Sequence, residues 1–409
     1  MLNYLYIDPG TGSMLFTVLL GVFGAGIYAV RALWMKLRFR ASGGKAKGEQ
    51  TAPLTIFSDD KRYWTTFRPL CDLFEKRMIP LVYWTCSPDD PALKAEYEYV
   101  KAECIGEINR AVTRLNVMKA DICIATTPGL DVYQWKRSKD CSYYIHLLHA
   151  VGDPALYRMF GLDYYDAVLL TGPFQEGQQR RLEEVRGIPA KDLEITGLIY
   201  MDELLERRKK IPSSPKDRIT VLLAPSWGES CIFRRYGARI IESLRDTGYR
   251  IIIRPHPQSL ISDKEALEPL QEKYPNSEDI SWNYDADNFD VLNEADIMIS
   301  DYSGVIFDYA LVFDRPVIYA DTSFDKSPYD AAWLEEEPWV FQILPEIGVP
   351  LTEDDLPRMK DVIDEALASK TLDAGRERAR HDSWAFIGES AERTMQYLLN
   401  KKEELAHAV

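Results

Sequence analysis

The sequence lacks an excess of basic residues and any close pairing of cysteines. Among its 409 residues, 64 are Asp or Glu and 49 are Lys or Arg, so the formal charge is −15. This argues against a general nucleic-acid binder, which would present a basic face. The six cysteines are scattered and form no C-x-x-C pair, which argues against a disulfide framework and a structural zinc site. We therefore predict a protein without a structural zinc site or a nucleic-acid partner. Neither a bound metal nor a cofactor is expected, and soluble magnesium could still assist.

One long apolar run stands apart from this composition. Residues 14–30 read MLFTVLLGVFGAGIYAV and carry no charge, and as a helix they would reach about 25 Å, near the lower limit for crossing a bilayer. Six basic residues and no acidic one follow between 31 and 47, whereas only Asp8 precedes the run. The positive-inside rule then places the rest of the chain in the cytoplasm. We interpret residues 1–40 as a single-pass anchor in the inner membrane; the alternative is a helix lying on anionic lipid.

Beyond a polar linker at 41–53, short apolar bursts alternate with helical patterns, as in a parallel α/β sheet. A charged, Pro- and Ser-rich segment at 207–216 interrupts this rhythm, which then restarts. The pattern predicts an α/β protein of the GT-B type, with two Rossmann-like domains at 54–210 and 216–385 facing a cleft. Residues 386–409 are expected to form a helix that crosses back to the first domain.

Strands are predicted where apolar runs of four to eight residues end in turn residues. In the first domain they are 54–58, 79–84, 121–126, 142–149, 165–170 and 193–197, with two helical stretches over 91–118. In the second domain they are 218–225, 249–255, 279–284, 295–300 and 315–320. Ligands of such sheets bind in the crevice beyond the carboxyl ends of the strands.

The strand at 295–300 is followed directly by a polar turn and a helix. Ser300, Asp301, Ser303 and Gly304 belong to this turn, and Asp308 lies in the helix. Free backbone N–H groups and the positive end of a helix dipole would favour an anion there, with a hydroxyl from Ser303 and close approach over Gly304. The alternative is an ordinary helix cap, in which Asp301 or Ser303 satisfies its own helix.

The second segment is the turn R-P-H-P at 254–257, at the end of another predicted strand. Prolines on both sides of His256 restrict its backbone, and Arg254 with His256 would neutralise a diphosphate leaving group. A purely structural histidine is the alternative, although such residues occur more often inside regular elements.

The third segment ends the strand predicted at 142–149. His146 and His149 are three residues apart, so in a strand they would point to opposite faces. His149 precedes Gly152 and Asp153 in a polar loop, which makes it the better candidate for a general base. His146, Gly152 and Asp153 are assigned to the acceptor side, while a structural role for both histidines stays open.

Taken together and in order, these segments resemble the CDP-glycerol glycerophosphotransferase family of teichoic acid polymerases and primases, which also has the GT-B fold. The resemblance covers about 142–397. The segments that carry it are Leu148-His149-Ala150, Ala224-Pro225-Ser226-Trp227, Arg254-Pro255-His256-Pro257, Ser300-Asp301-Tyr302-Ser303-Gly304, Phe307-Asp308-Tyr309, Arg315-Pro316 and Gly388-Glu389-Ser390-Ala391-Glu392-Arg393.

The resemblance implies a reaction and a role for each matched residue. His149 would be the base on an acceptor hydroxyl, Arg254 and His256 would stabilise the diphosphate, and Ser303 with its helix would hold the phosphates. Ser226 and Trp227 would line the nucleotide pocket, and CMP would be released from a CDP-polyol while a lipid-linked acceptor is extended.

The sequence departs from the family at three positions. Gly304 replaces a serine, and Leu148 and Ala150 replace the Trp and Gly beside the histidine. The acceptor and the polyol therefore stay open. So do two other functions, a glycosyltransferase using a nucleotide sugar and a membrane scaffold without activity.

Overall fold

The computed structural model describes residues 54–407, except 213–215, 229–230, 286, 302 and 321–323. The predicted membrane segment, the basic residues after it and the linker at 41–53 lie outside the described residues. Within the part that is described, no helix is long and apolar enough to cross a membrane.

Seven parallel strands form the first sheet, in the order β3-β2-β1-β4-β5-β6-β7. They are β1 (Leu54–Ser58), β2 (Leu81–Thr85), β3 (Val100–Cys104), β4 (Ala120–Ala125), β5 (Cys141–Leu147), β6 (Ala167–Leu170) and β7 (Asp192–Ile195). Every residue of β1 and β6 is buried, as expected for central strands that are covered on both faces. The chain order reverses between β1 and β4, which is where a crevice opens in such sheets.

Six parallel strands form the second sheet, in the order β10-β9-β8-β11-β12-β13. They are β8 (Thr220–Ala224), β9 (Arg250–Ile253), β10 (Ile280–Trp282), β11 (Ile297–Ser300), β12 (Val317–Ala320) and β13 (Gly348–Leu351). The order reverses between β8 and β11. We call the part around β1–β7 the first lobe and the part around β8–β13 the second lobe.

Helices cover the faces of both sheets. They are α1 (Trp64–Lys76), α2 (Ile108–Leu115), α3 (Phe174–Arg186), α4 (Ile199–Lys209), α5 (Ile232–Tyr236), α6 (Ala238–Arg245), α7 (Ser259–Ser262), α8 (Lys264–Lys273), α9 (Phe289–Glu294), α10 (Val305–Phe307), α11 (Trp339–Ile347), α12 (Met359–Ala368), α13 (Lys370–Ser383) and α14 (Ser390–His407). A five-residue π-helix, Asp308–Val312, continues α10. The helix α4 connects the two lobes.

The sequence patterns located eleven of these strands but not β3 and β13. The two helical stretches predicted over 91–118 are wrong in part, because β3 runs through their middle. It is an edge strand with exposed Lys101 and Glu103, so it lacks the apolar run that identifies a central strand. The strand β13 contains Gly348 and Pro350, and an edge strand tolerates both because one of its sides donates no ladder hydrogen bonds.

Buried acidic residues take part in three of the contacts that hold the lobes together. The buried Asp202 of α4 accepts hydrogen bonds from the backbone N–H groups of Gly388 (2.8 Å) and Ser390 (3.0 Å) at the start of α14, a helix that packs on α1 of the first lobe. Gly388 has a φ of +86°, a conformation that glycine adopts without strain. A buried ion pair joins Arg186 to Asp330, and the third contact involves Asp153, described below.

Candidate functional site

A cleft of about 690 Å³ lies between the lobes, at the carboxyl ends of both sheets. The first lobe contributes the turn after β1 and the loop after β5, and the second lobe contributes the turns after β8, β9 and β11. The functional side chains that line it are Lys61, Arg62, Tyr63, His149, Tyr200, Arg207, Arg254, His256, Ser303 and Asp308. Six of the thirteen predicted site residues therefore meet in one place: His149, Arg254, His256, Ser303, Gly304 and Asp308.

Two predicted phosphate-binding residues, Ser300 and Asp301, are buried and support the turns instead. The hydroxyl of Ser300 donates to the carbonyl of Ala224 (2.6 Å). The carboxylate of Asp301 accepts from the backbone N–H groups of Ser226 (2.8 Å) and Ile232 (2.9 Å), and burial raises its pKa. These bonds join the turn after β8 to the end of β11. Both residues therefore fix the backbone of the turns that line the cleft.

Ser303 and Gly304 form the exposed part of the same turn. They line the cleft and also a neighbouring cavity of about 190 Å³ whose walls are mainly apolar. Gly304 has an ordinary right-handed backbone conformation, with φ −58°. The turn thus offers the Ser303 hydroxyl and unshielded backbone to the cleft.

Asp308 begins the π-helix and faces the cleft. Burial raises the pKa of its carboxyl to about 7. Interruptions of this kind occur often at functional sites. A carboxyl here can accept hydrogen bonds from hydroxyl groups of a ligand, and it is close to its own titration point at neutral pH.

Arg254 and His256 reach the cleft from the turn after β9. The guanidinium of Arg254 donates to the side chain of Asn283 and to the carbonyl of Asp285 (2.7 Å), so it is held in place. Nδ1 of His256 accepts from the backbone N–H of Gln258 (3.1 Å). The neutral ring therefore carries its proton on Nε2, where it can be donated, and burial lowers its pKa.

Trp227, which was assigned to the nucleotide pocket with Ser226, is exposed. Its ring lies beside His256, with 6.4 Å between the ring centroids. Ser226 is held through its backbone, because its N–H binds Asp301 and its carbonyl accepts from Ser259 (3.4 Å). The indole thus forms an open aromatic surface next to the R-P-H-P turn.

His149 lies two residues beyond the end of β5 and lines the cleft. Its ring packs edge-on against Tyr63, at 4.8 Å between centroids. Burial, and next the charge of Arg62, lower its pKa to about 4, so the imidazole is neutral at pH 7. Within the described residues its buried Nδ1 has no hydrogen-bond partner. A neutral, partly enclosed imidazole facing a cleft suits a proton acceptor.

His146 takes the opposite position. It is fully buried between Tyr157 and Tyr165, and Nε2 lies 3.0 Å from the Tyr157 hydroxyl. The structure does not bring it to the cleft. The alternation argument also fails in its detail, because β5 ends at Leu147 and His149 is no longer in a strand.

Gly152 lines the smaller, neighbouring cavity, whereas Asp153 joins the lobes. The buried carboxylate of Asp153 accepts from the N–H groups of Trp339 (2.7 Å) and Val340 (3.0 Å) at the start of α11, and from the side chain of Gln178 (2.6 Å). The oxygens of Asp153 are thus occupied by a helix cap across the lobes, and the residue is held away from the acceptor side to which we assigned it.

Sequence reasoning missed the residues of the turn after β1. Lys61, Arg62 and Tyr63 line the cleft, but no motif marks them. Their one signal is position: they follow the first strand of a parallel sheet, beside the point where the strand order reverses. In the described part of the chain, no group of three or more His, Cys, Asp or Glu residues is placed to hold a metal ion.

Comparison with known proteins agrees with this geometry. Residues 178–333 match the model of the family CDP-glycerol:poly(glycerophosphate) glycerophosphotransferase. The match includes the turns after β8, β9 and β11 and leaves His149 outside. No curated protein matches the sequence.

Solved structures share the fold. The wall teichoic acid polymerase TagF has a TM-score of 0.59 and 15% identity, over 94% of this chain and 98% of that one. A UDP-GlcNAc 2-epimerase from Methanocaldococcus jannaschii, in complex with UDP-GlcNAc and UDP, has a TM-score of 0.52 and 12% identity over 85% and 99%. The Neisseria meningitidis 2-epimerase gives 0.53 and 11%, also over 85% and 99%.

The family match and the two-lobed fold agree with the motifs from which the resemblance was predicted. That resemblance is confirmed: residues 178–333 are similar to the CDP-glycerol glycerophosphotransferase family, and the described chain has a GT-B fold.

Proposed function

We propose that this protein transfers a polyol phosphate from CDP-glycerol, or a related CDP-polyol, to a lipid-linked glycan or teichoic-acid-like acceptor and releases CMP. The observation that carries the proposal is the composition of the cleft. A neutral imidazole on the first lobe faces a second-lobe wall that presents an arginine, a donor imidazole and a serine turn.

The second-lobe wall suits a diphosphate. Nε2–H of His256 and the guanidinium of Arg254 can neutralise charge on the phosphate oxygens, and Ser303 adds a hydroxyl donor. Asp308 stands beside them and can accept hydrogen bonds from the hydroxyl groups of a sugar or a polyol. Trp227 offers an exposed ring near the same turn, where a base can stack.

The reaction then needs positioning and charge neutralisation more than a covalent intermediate. The acceptor hydroxyl oxygen attacks the phosphorus that carries the glycerol, and its proton passes to His149. A new P–O bond forms while the P–O bond to the bridging oxygen breaks. The electron pair of that bond leaves on the phosphate of CMP, whose charge is stabilised by Arg254 and His256.

The part of the proposal that concerns the acceptor and the membrane depends on the amino-terminal residues. A membrane helix at 14–30, with its basic residues on the cytoplasmic side, would keep the catalytic lobes at the inner face of the membrane. Lipid-linked acceptors would then lie in the same membrane to which the protein is anchored. This part of the proposal rests on the sequence alone.

CMP release by detergent-solubilised full-length protein tests the proposal. CDP-glycerol, CDP-ribitol and a panel of nucleotide sugars are offered with a membrane-lipid extract, using wild type, His149→Ala and His256→Ala. We expect lipid-dependent release of CMP that both substitutions reduce by at least about 100-fold.

Other outcomes would change the conclusion. Release of a nucleoside diphosphate from a nucleotide sugar would make the protein a glycosyltransferase. The proposed transfer of a polyol phosphate would then be wrong. If no donor is turned over and both histidine variants retain the cellular function, the protein is a membrane scaffold.

A further inference from the structure

The turn that follows β1 is firmly built. The Asp60 carboxylate accepts from the backbone N–H of Arg62 (2.9 Å), the Ser58 hydroxyl donates to the Asp60 carbonyl (2.9 Å), and the N–H of Lys61 donates to the Ser87 hydroxyl (3.0 Å). These bonds fix the backbone of a short 3₁₀ helix, Lys61–Tyr63. The side chains of this turn are therefore presented to the cleft from a rigid base.

Arg62 is close enough to both cleft histidines to act on their charge. After burial, its positive charge is the largest cause that lowers the pKa of His149 and of His256. The adjacent Tyr63 packs on the His149 ring, which ties the position of the turn to that of the imidazole. Arg62 thus lies where the acceptor-side and donor-side groups face each other.

The other cations of the cleft already have partners. Lys61 pairs with Asp89, and Arg207 pairs with Asp287 (2.7 Å). Arg254 is held by the loop after β10. The charges of Lys61 and Arg207 are partly neutralised before any ligand arrives, and the guanidinium of Arg254 already donates to two neutral groups.

Arg62 is different. Its only ion pair with a described residue is at 3.5 Å, between Nε and Asp60, and its side chain is 70% exposed. The two terminal guanidinium nitrogens make no hydrogen bond within the described parts of the chain. They remain available as a planar pair of donors, the arrangement that binds phosphate oxygens in bidentate fashion.

We propose that Arg62 is a phosphate-binding residue, contributed by the first lobe, that contacts the glycerol-phosphate group while it is transferred. This rests on the proposed function. Arg62 neither gives nor takes a proton; it neutralises the phosphoryl oxygens while one P–O bond forms and the other breaks. Donor binding then involves both lobes, although Arg62 lies outside the residues that match the family model.

The test uses full-length Arg62→Gln and Arg62→Lys, with Arg110→Gln as a control at an exposed arginine on α2 of the same lobe. Three quantities are measured: kcat/KM for CMP release from CDP-glycerol, the Kd for CDP, and the histidine pKa values by NMR. Arg62→Gln should lower kcat/KM and weaken CDP binding by about 10- to 100-fold, the range for a lost charge-assisted hydrogen bond. The lysine variant should recover part of both, and the control should stay within about twofold.

Removing the positive charge should also raise the pKa of both cleft histidines, so the acid limb of the rate profile moves to higher pH. If turnover and CDP affinity of Arg62→Gln equal those of wild type, the proposal is overturned even if the pKa values move. If wild type releases no CMP from any donor but binds CDP, the proposed reaction fails and the CDP affinities still decide the role of Arg62. Absence of CDP binding by wild type overturns both. If Arg62→Gln does not fold, the lysine variant decides.

Discussion

The two walls of the cleft are built by different means. On the second lobe, motif residues stand on the ends of three strands and are joined by buried hydrogen bonds, such as those from Asp301 to the turn after β8. On the first lobe, one recognisable histidine is positioned by packing against Tyr63, next to an arginine that no motif marks.

This difference parallels the extent of the family match, which includes the second-lobe turns and leaves His149 outside. The charge and geometry of a diphosphate are the same in every donor, so the same set of hydrogen-bond donors at strand ends can bind it. An acceptor hydroxyl demands only a base at the right distance, which many local sequences can supply. Sequence patterns should therefore reveal the donor wall more readily than the acceptor wall.

The largest effect on turnover should come from replacing the histidine of each wall. We expect His149→Ala to lower kcat by about 10²- to 10⁴-fold and to leave the affinity for CDP-glycerol near wild type, because its base acts only on the acceptor. His256→Ala should weaken donor binding as well. Steady-state CMP release and calorimetric titration with CDP-glycerol measure the two quantities.

His381→Ala, at an 82% exposed side chain on α13, is the control and should change neither quantity. Loss of donor affinity in His149→Ala would contradict the assignment of that histidine to the acceptor wall.

The pH profile of turnover gives a second check on the role of His149. Because the pKa of His149 is lowered to about 4, turnover should persist at pH 5.5, where a free imidazole is mostly protonated.

The comparison of the walls also explains what could be predicted from the sequence. Central strands could be predicted from their continuous apolar runs, because both faces of such strands are buried, as in the all-apolar β6. The edge strands β3 and β13 could not be recognised, because β3 has the exposed charged residues Lys101 and Glu103 and β13 contains Gly348 and Pro350. The turns at 254–257 and 300–304 were located correctly because they follow such central strands.

Side-chain direction was harder to predict than position. Nothing in the sequence distinguishes Asp301, which faces inward to two N–H groups, from Ser303, which faces the cleft. His146 and His149 separate only because Tyr157 and Tyr63 enclose them differently. Arg62 was missed because a single arginine after a strand belongs to no recognisable motif. Its ability to bind a ligand depends on which ion pairs and hydrogen bonds it makes in the folded protein.

Two buried carboxylates provide a matched test of the difference between the walls. Asp301 and Asp153 each accept two backbone N–H bonds, so replacing either by Asn should cost about 1–3 kcal/mol of the free energy of unfolding. Asp301→Asn should also weaken CDP-glycerol binding, because the turn after β8 loosens. Asp153→Asn should leave that affinity near wild type, since it joins α11 to the first lobe.

Thermal unfolding and donor titration of the two variants measure these effects. Equal loss of donor affinity in both would mean that the cleft depends on the relation between the lobes as much as on the second-lobe turns, and the distinction between the walls would fail.

A smaller effect should come from the charge of Asp308. Its native pKa of about 7 lies above that of an unfolded aspartate, so the native state holds the proton more tightly, and stability is lost as pH rises toward 7. Asp308→Asn removes this penalty. The variant should match wild type near pH 4 and be more stable by about 1–2 kcal/mol above pH 7, allowing for partial exposure to solvent.

Unfolding midpoints between pH 4 and pH 8 check the sign, with Asp361→Asn, an exposed position on α12, as control. A difference of the opposite sign at pH 8 would show that the ionised carboxylate has a stabilising partner. If Asp308 binds donor hydroxyl groups, the same variant should also raise the KM for the donor several-fold while it gains stability.

The smallest expected effect is at Gly304, where the sequence departs from the family on the donor wall. A Cβ added there would meet no atom within 4 Å, and the φ of −58° suits any residue. Gly304→Ser should therefore change the free energy of unfolding by less than about 0.5 kcal/mol. A new hydroxyl beside Ser303 should lower the KM for CDP-glycerol about two- to fivefold, since a net hydrogen bond contributes about 1 kcal/mol. Gly304→Ala separates the hydroxyl from the added bulk. If serine and alanine raise KM alike, the open space over Gly304 is occupied by the bound donor, and the glycine marks a polyol larger than glycerol.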